Sequence, residues 1–180
     1  MLFGVVNPSG RLAETVPVRL QDTPAFLNFP SERGGHTYYG ERIFVGYRWY
    51  DARELPVTYP FGHGLSYTTF GYRGMEITEH GDGLAVAVTV ANTGARRGRE
   101  VVQVYASKSA SRVSRAPALA GGLRSVTLDP GEDRVVEMAI SRHDLAYWPI
   151  AGPSRRATTH FRPGGVQPRS TLARHGDIDR

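Results

Sequence analysis

A chain of 180 residues, 40% hydrophobic and 22% charged, has room for one ordinary domain or a small domain with an appendage, and its composition is that of a folded, soluble protein. Glycine (21 residues) and proline (12) recur too often for long helices, which favours an all-β or loop-rich body. Cysteine is absent, so disulfides, thiolate nucleophiles and cysteine-based zinc or iron–sulfur sites are excluded, while the compartment stays open.

The net charge of +5 raises the question of nucleic acid. Residues 1–152 carry 16 Lys/Arg against 15 Asp/Glu, and residues 153–180 carry six arginines against Asp177 and Asp179. The excess therefore sits in the tail, not on a folded face. The only basic cluster in the body is Arg96, Arg97 and Arg99 around Gly98 in a predicted turn. No nucleic-acid partner is expected from that distribution. No run approaches the roughly 20 apolar residues of a membrane helix. The opening MLFGVVNPSG has no basic n-region, so no signal peptide is read and no membrane partner is expected.

In chain order, residues 1–37 show no sustained period: Pro8-Ser9-Gly10 marks a turn, and Pro17, Pro24 and Pro30 interrupt the rest of the stretch. It reads as a segment lying along something larger. Residues 38–50, YYGERIFVGYRWY, are dense in aromatics and suit an interface or a sugar-facing surface as well as a core. Residues 55–70, LPVTYPFGHGLSYTTF, are turn-rich, with Gly62 and Gly64 flanking His63.

From residue 75 the pattern becomes that of strands. MEITEH, Gly81-Asp82-Gly83 and LAVAVTVAN predict strand, tight turn, strand, with Leu84, Val86, Val88 and Val90 on one face. EVVQVYA (100–106) alternates, with Val102 and Val104 opposite Val101, Gln103 and Tyr105. LRSVTL and DRVVEMAI flank a turn at Asp129-Pro130-Gly131-Glu132. Short strands at this spacing predict a mainly β fold, a β-sandwich. From Pro153 the composition predicts a disordered basic tail.

Candidate chemistry is sparse. Sugar hydrolysis needs two carboxylates a few ångströms apart; the candidates are Glu41 and Asp51, with Glu54 nearby, and arginine pairing or turn capping is the simpler role for each. His63 between glycines suits a loop-holding histidine better than a general base. His36, His80, His143, His160 and His175 lie too far apart for metal-ligand spacing. Ser9 and Ser66 lack the strand–elbow–helix setting of a serine nucleophile, and the glycines at 4, 10, 34, 35 and 40 form no phosphate cradle. Tyr38, Tyr39, Tyr47, Trp49 and Tyr50 could stack on sugar rings, although burial is the ordinary fate of such residues. The residues predict no self-contained catalytic site, no cofactor and no metal.

LFGVVNPSGRLAETVP, FLNFP, YYGERIFVGYRWYD and PFGHGLSYTTF, continued by VTVANTGARRGREVVQVYAS and LAGGLRSVTLDPGEDRVVEMAISRHDLAYW, resemble the C-terminal third of glycoside hydrolase family 3 β-glucosidases. The resemblance covers roughly residues 2–148. It implies that residues 1–72 are the closing stretch of an α/β-sandwich domain, and that 73–150 are an incomplete fibronectin type III-like domain. Residues 151–180 would then be a disordered basic tail. It further implies a retaining hydrolysis of terminal non-reducing β-D-glucosyl residues by catalytic domains preceding this region, with nucleophile and acid/base both upstream; Glu41 falls in the YGE block and inherits no catalytic role. The expected partners are those N-terminal domains, with a β-glucoside bound only through the whole enzyme. The alternative is an independent β-sandwich module binding carbohydrate or protein. After Pro149 the chain departs from the family pattern: the expected final strands give way to an Arg-, Pro- and Gly-rich stretch, resembling a coding sequence read out of frame. The expectation is an internal strand left as a bare, aggregation-prone edge.

Overall fold

The structure, a computed structural model, describes residues 1–29, 35–108, 111, 113–146 and the strand His160–Gly164. Two three-stranded antiparallel sheets face one another. One has the order β3 (Phe70–His80), β4 (Gly83–Asn92), β7 (Asp133–Ser141); the other has the order β6 (Leu119–Leu128), β5 (Gly98–Ser107), β8 (His160–Gly164). The β-sandwich expected from the alternating segments is the observed fold.

The alternation sets which side chains enter the space between the sheets. Leu84, Val86, Val88 and Val90 of β4 are buried, against Val102, Val104 and Ala106 of β5, Val126 and Leu128 of β6, and Val136, Met138 and Ile140 of β7. β-branched side chains pack well on a pleated surface, and burying each valine or leucine is worth about 1.5–3 kcal/mol. Phe70, Tyr72, Met75 and Ile77 of β3 close one flank.

The links between strands follow from turn chemistry. β3 and β4 pair out to His80 opposite Gly83, leaving a two-residue loop in which Gly81 takes φ +56°, a conformation that a side chain resists. Between β6 and β7 the chain crosses from one sheet to the other through Asp129–Glu132, with Gly131 at φ +77°. The Asp129 N–H donates to the Glu132 carboxylate over 2.8 Å, and Arg134 also donates to it; those bonds hold its carboxyl below the usual carboxylate range.

One expectation is corrected here. His160–Gly164 lies within the stretch expected to lack regular structure, yet it forms β8, paired antiparallel with Gln103–Ser107 of β5. An exposed strand edge recruits a partner through main-chain hydrogen bonds, which need no alternating side-chain pattern. Pro163 is tolerated because β8 is itself an edge strand. Half of β5 is therefore not the bare edge anticipated. Tail residues 151–159 and 165–180, for which disorder was also expected, lie outside the described residues.

Before the sandwich, the described residues hold only short elements. β1 (Val16–Pro17) pairs antiparallel with β2 (Val57–Tyr59), and α1 (Tyr47–Ala52) lies between them in sequence. α2 (Arg142–Leu145) follows β7, its first turn capped by Ser141, whose hydroxyl accepts from the His143 N–H.

Candidate functional site

The aromatic block is tied into the fold through α1 (Tyr47–Ala52). Its helix α1 turns Tyr50 into the interior and lets the Trp49 indole N–H donate to the Asp22 carbonyl over 2.9 Å. The guanidinium of Arg53 lies 3.9 Å above the Trp49 ring, a cation–π contact. Arg19 grips Asp22 through two nitrogens, at 2.7 and 3.2 Å, and holds its carboxyl below the ordinary range. Burial, with a smaller contribution from Asp22, pushes the Tyr50 phenol up.

Placed on the fold, each candidate residue has a local role. Glu41 sits in a turn where its carbonyl accepts from the Phe44 N–H, and its Oε2 is buried without a hydrogen-bond partner, as is Arg48 Nε. Asp51 lies within α1, and its carbonyl accepts from the Glu54 N–H. Glu54 comes just after that helix, with φ +52°. His63 acts through its backbone, its carbonyl accepting from the Leu12 N–H at 2.8 Å while its ring packs 4.9 Å from Tyr59. Ser66 is a turn former whose hydroxyl exchanges hydrogen bonds with Asn7 and accepts from the Thr68 N–H. Arg96 reaches the Gly4 carbonyl, Arg97 faces Asp129 at 3.6 Å, and Arg99 reaches the Ser125 hydroxyl. Among the described residues no group of three His, Asp or Glu could hold a metal, and no helix is long and apolar enough to cross a membrane.

What the fold does assemble is a junction between residues 1–69 and the sandwich. Tyr47 is its aromatic centre, with ring centroids 5.0 Å from Phe61 and 5.9 Å from Tyr105 of β5. Its hydroxyl accepts from the Ala120 N–H of β6 at 2.8 Å. Gly62 lies so close to Gln103 that an added Cβ would come within 2.7 Å of it, which seats the turn at 60–64 on the outer face of β5.

A second contact sits at the start of β5. Asn7 ties the first segment to the turn at 66–67, and its side chain would meet a Cβ added at Gly98 at 2.5 Å. Asn92, only 1% exposed, joins three pieces: its Oδ1 accepts from the Thr68 hydroxyl (2.6 Å) and the Gly94 N–H (3.1 Å), and its Nδ2 donates to the Arg96 and Leu128 carbonyls. The third contact is an ion pair, Arg11 to Glu100, at 2.5 Å. Sequence reading did not single out these residues, though Glu100 carries a signal: it occupies the inward position of a strand that continues with Val102 and Val104.

The lead-in also presents large apolar side chains to solvent. Leu2 and Phe3 are each 94% exposed, Tyr38 is 76% and Tyr39 78% exposed, and Val5, Leu27 and Phe29 are exposed as well. Exposed apolar side chains of this size suit a surface that further protein covers.

Residues 100–160 match the family described as fibronectin type III-like domain. The chain is 44% identical over 156 residues to probable β-glucosidase I of Emericella nidulans, covering 82% of this chain and 18% of that protein. It is 41% identical over 152 residues to the thermostable β-glucosidase B of Acetivibrio thermocellus, covering 82% and 20%. Among solved structures, the GH3 β-glucosidase of Bifidobacterium adolescentis superposes with a TM-score of 0.82 at 37% identity, covering 89% of this chain and 25% of that one. The chain thus spans about a fifth of the length of the curated relatives it matches.

Proposed function

The chain belongs to the C-terminal region of the glycoside hydrolase family 3 β-glucosidases, and we propose that its role there is mechanical support rather than chemistry. In this reading it is the non-catalytic end of a retaining β-glucosidase acting on terminal non-reducing β-D-glucosyl residues. The lead-in, expected to run to residue 72 and ending where β3 begins at Phe70, closes the preceding α/β-sandwich domain, and the fibronectin type III-like sandwich braces it.

The observation that carries the proposal is the asymmetry of burial. The sandwich encloses its own core, whereas the lead-in exposes Leu2, Phe3, Val5, Leu27, Phe29 and the Tyr38–Tyr39 pair. The buried, unpartnered Glu41 Oε2 and Arg48 Nε belong to the same lead-in. Apolar side chains facing water and polar atoms lacking partners are together the mark of a surface completed by more protein. The relatives' much greater length is consistent with catalytic domains as that partner. The candidate carboxylates sit in local turns and a helix, Glu41 in the turn closed by Phe44 and Asp51 within α1, which supports a structural role for them.

A chimera tests the proposal. Replacing the matched region of the Acetivibrio thermocellus β-glucosidase B with residues 2–148 should give an enzyme that hydrolyses a chromogenic β-glucoside. An inactive but folded chimera would count against the supporting role. The exposed tyrosine pair favours one competing reading, an independent carbohydrate-binding module; saturable binding of a β-glucan to the isolated chain, lost in Tyr38→Ala/Tyr39→Ala, would support that reading instead.

A further inference from the structure

Glu100 occupies a position that the sandwich pattern reserves for an apolar side chain. It lies on the inward face of β5, on the same side as Val102 and Val104, and its side chain is 8% exposed. β8 pairs only with Gln103–Ser107, so this carboxylate sits on the part of β5 that β8 leaves uncovered. Its Oε1 accepts from the Val101 N–H at 2.9 Å, and its Oε2 accepts from Arg11, itself 13% exposed, at 2.5 Å. Tyr72 of β3 is close enough to feel both charges, and its hydroxyl is buried without a partner. Arg11 thus brings a cation from the lead-in to a carboxylate on the core face of the sandwich, 89 residues away in sequence.

We propose that the Arg11–Glu100 pair is a recognition lock, through which the sandwich accepts only a covering segment that brings a cation to this position. Net stability alone does not call for such a pair, because apolar residues of similar volume often replace a buried ion pair at no cost, whereas removing one partner strands the other charge at heavy cost. What the pair supplies is discrimination: a segment without the arginine leaves Glu100 buried and unpaired. The neighbouring contacts hold the arginine in register. Leu12 N–H donates to the His63 carbonyl and Gly62 N–H to the Leu12 carbonyl, both at 2.8 Å, and Gly64 has no room for a Cβ, which would run into the Gly10 carbonyl oxygen. The lock depends only on contacts within this chain, so it stands or falls separately from the role proposed above.

Hydrogen exchange on the intact 180-residue chain tests it, reading the amides of Leu12, Gly62 and Tyr67 beside those of β4. Arg11→Met, which leaves Glu100 alone, and Glu100→Gln, which leaves Arg11 alone, should each cut protection at those three amides on the order of 100-fold. The apolar pair Arg11→Met/Glu100→Met should restore it to within about tenfold, since no charge is then stranded. Should a single variant not fold, the double variant decides: a folded, protected double supports the lock, and an unfolded or unprotected double overturns it. Single variants with protection unchanged, or a double whose loss equals the two single losses combined, would also overturn it.

Discussion

Asn92→Asp replaces one buried amide group by an oxygen of the same size and should damage the protein far more than its volume suggests. In the native chain Nδ2 donates to two carbonyls, Arg96 O at 2.7 Å and Leu128 O at 3.1 Å, while Oδ1 is already engaged by Thr68 and Gly94. A carboxylate retains the Oδ1 contacts but turns a second acceptor towards those two carbonyls. Leaving a buried polar group unpaired costs about 1–3 kcal/mol, so two such losses give about 2–6 kcal/mol, a large share of the typical 5–15 kcal/mol margin of a domain. The damage should depend on pH with a definite sign. Burial and the facing carbonyls favour the protonated acid, so its folded pKa lies above the unfolded value of about 3.9. The deficit relative to the native chain is then largest at neutral pH and shrinks as pH falls through that raised pKa. Urea unfolding of both proteins at pH 7 and at pH 4.5 measures this. Equal midpoints at pH 7, or a gap that widens on acidification, would refute the reasoning.

Three further expectations rest on particular contacts. Gly98→Ala places a Cβ 2.5 Å from both Asn7 Nδ2 and Thr68 Cγ2 and should cost about 1–3 kcal/mol, while Gly74→Ala, with nothing within 4 Å, should gain about 0.5–1 kcal/mol in the same denaturation assay. Glu54→Gly should raise stability by about 0.5–1 kcal/mol, because Glu54 holds φ +52° after α1, where only glycine is free of strain. Burial, reinforced by the Glu100 charge and opposed by Arg11, holds the Tyr72 phenol well above its ordinary pKa. The stability tied to its neutral form is complete below about pH 10 and is lost as pH rises beyond that; Tyr72→Phe should shift the alkaline unfolding midpoint upward without a loss at neutral pH, as followed by circular dichroism.

How much of the fold could be read beforehand depends on the range of the physics involved. The faces of β4 and β5 were legible because alternation is a local property, β6 and β7 were read only as segments flanking a turn, and the turns at Gly81 and Asp129–Glu132 were legible because positive φ selects for glycine. β8 was not, because pairing along a free edge is written in the main chain, and HFRPG carries no period to announce it. The junction was half visible. The aromatic density around Tyr47 left an interface, a sugar-facing surface and a core open, and Tyr47 serves as a contact between segments. The partnership of Arg11 with Glu100 depends on tertiary proximity that no local window contains. The only trace of it in the sequence is a glutamate at an inward strand position.

The proposed division of labour is tested most directly by the rate at which the purified 180-residue chain hydrolyses a chromogenic β-glucoside. A supporting, non-catalytic region should show no turnover above the buffer rate at any protein concentration. Turnover that scales with the chain and disappears in Glu41→Gln, with the circular dichroism of the sandwich unchanged, would contradict it.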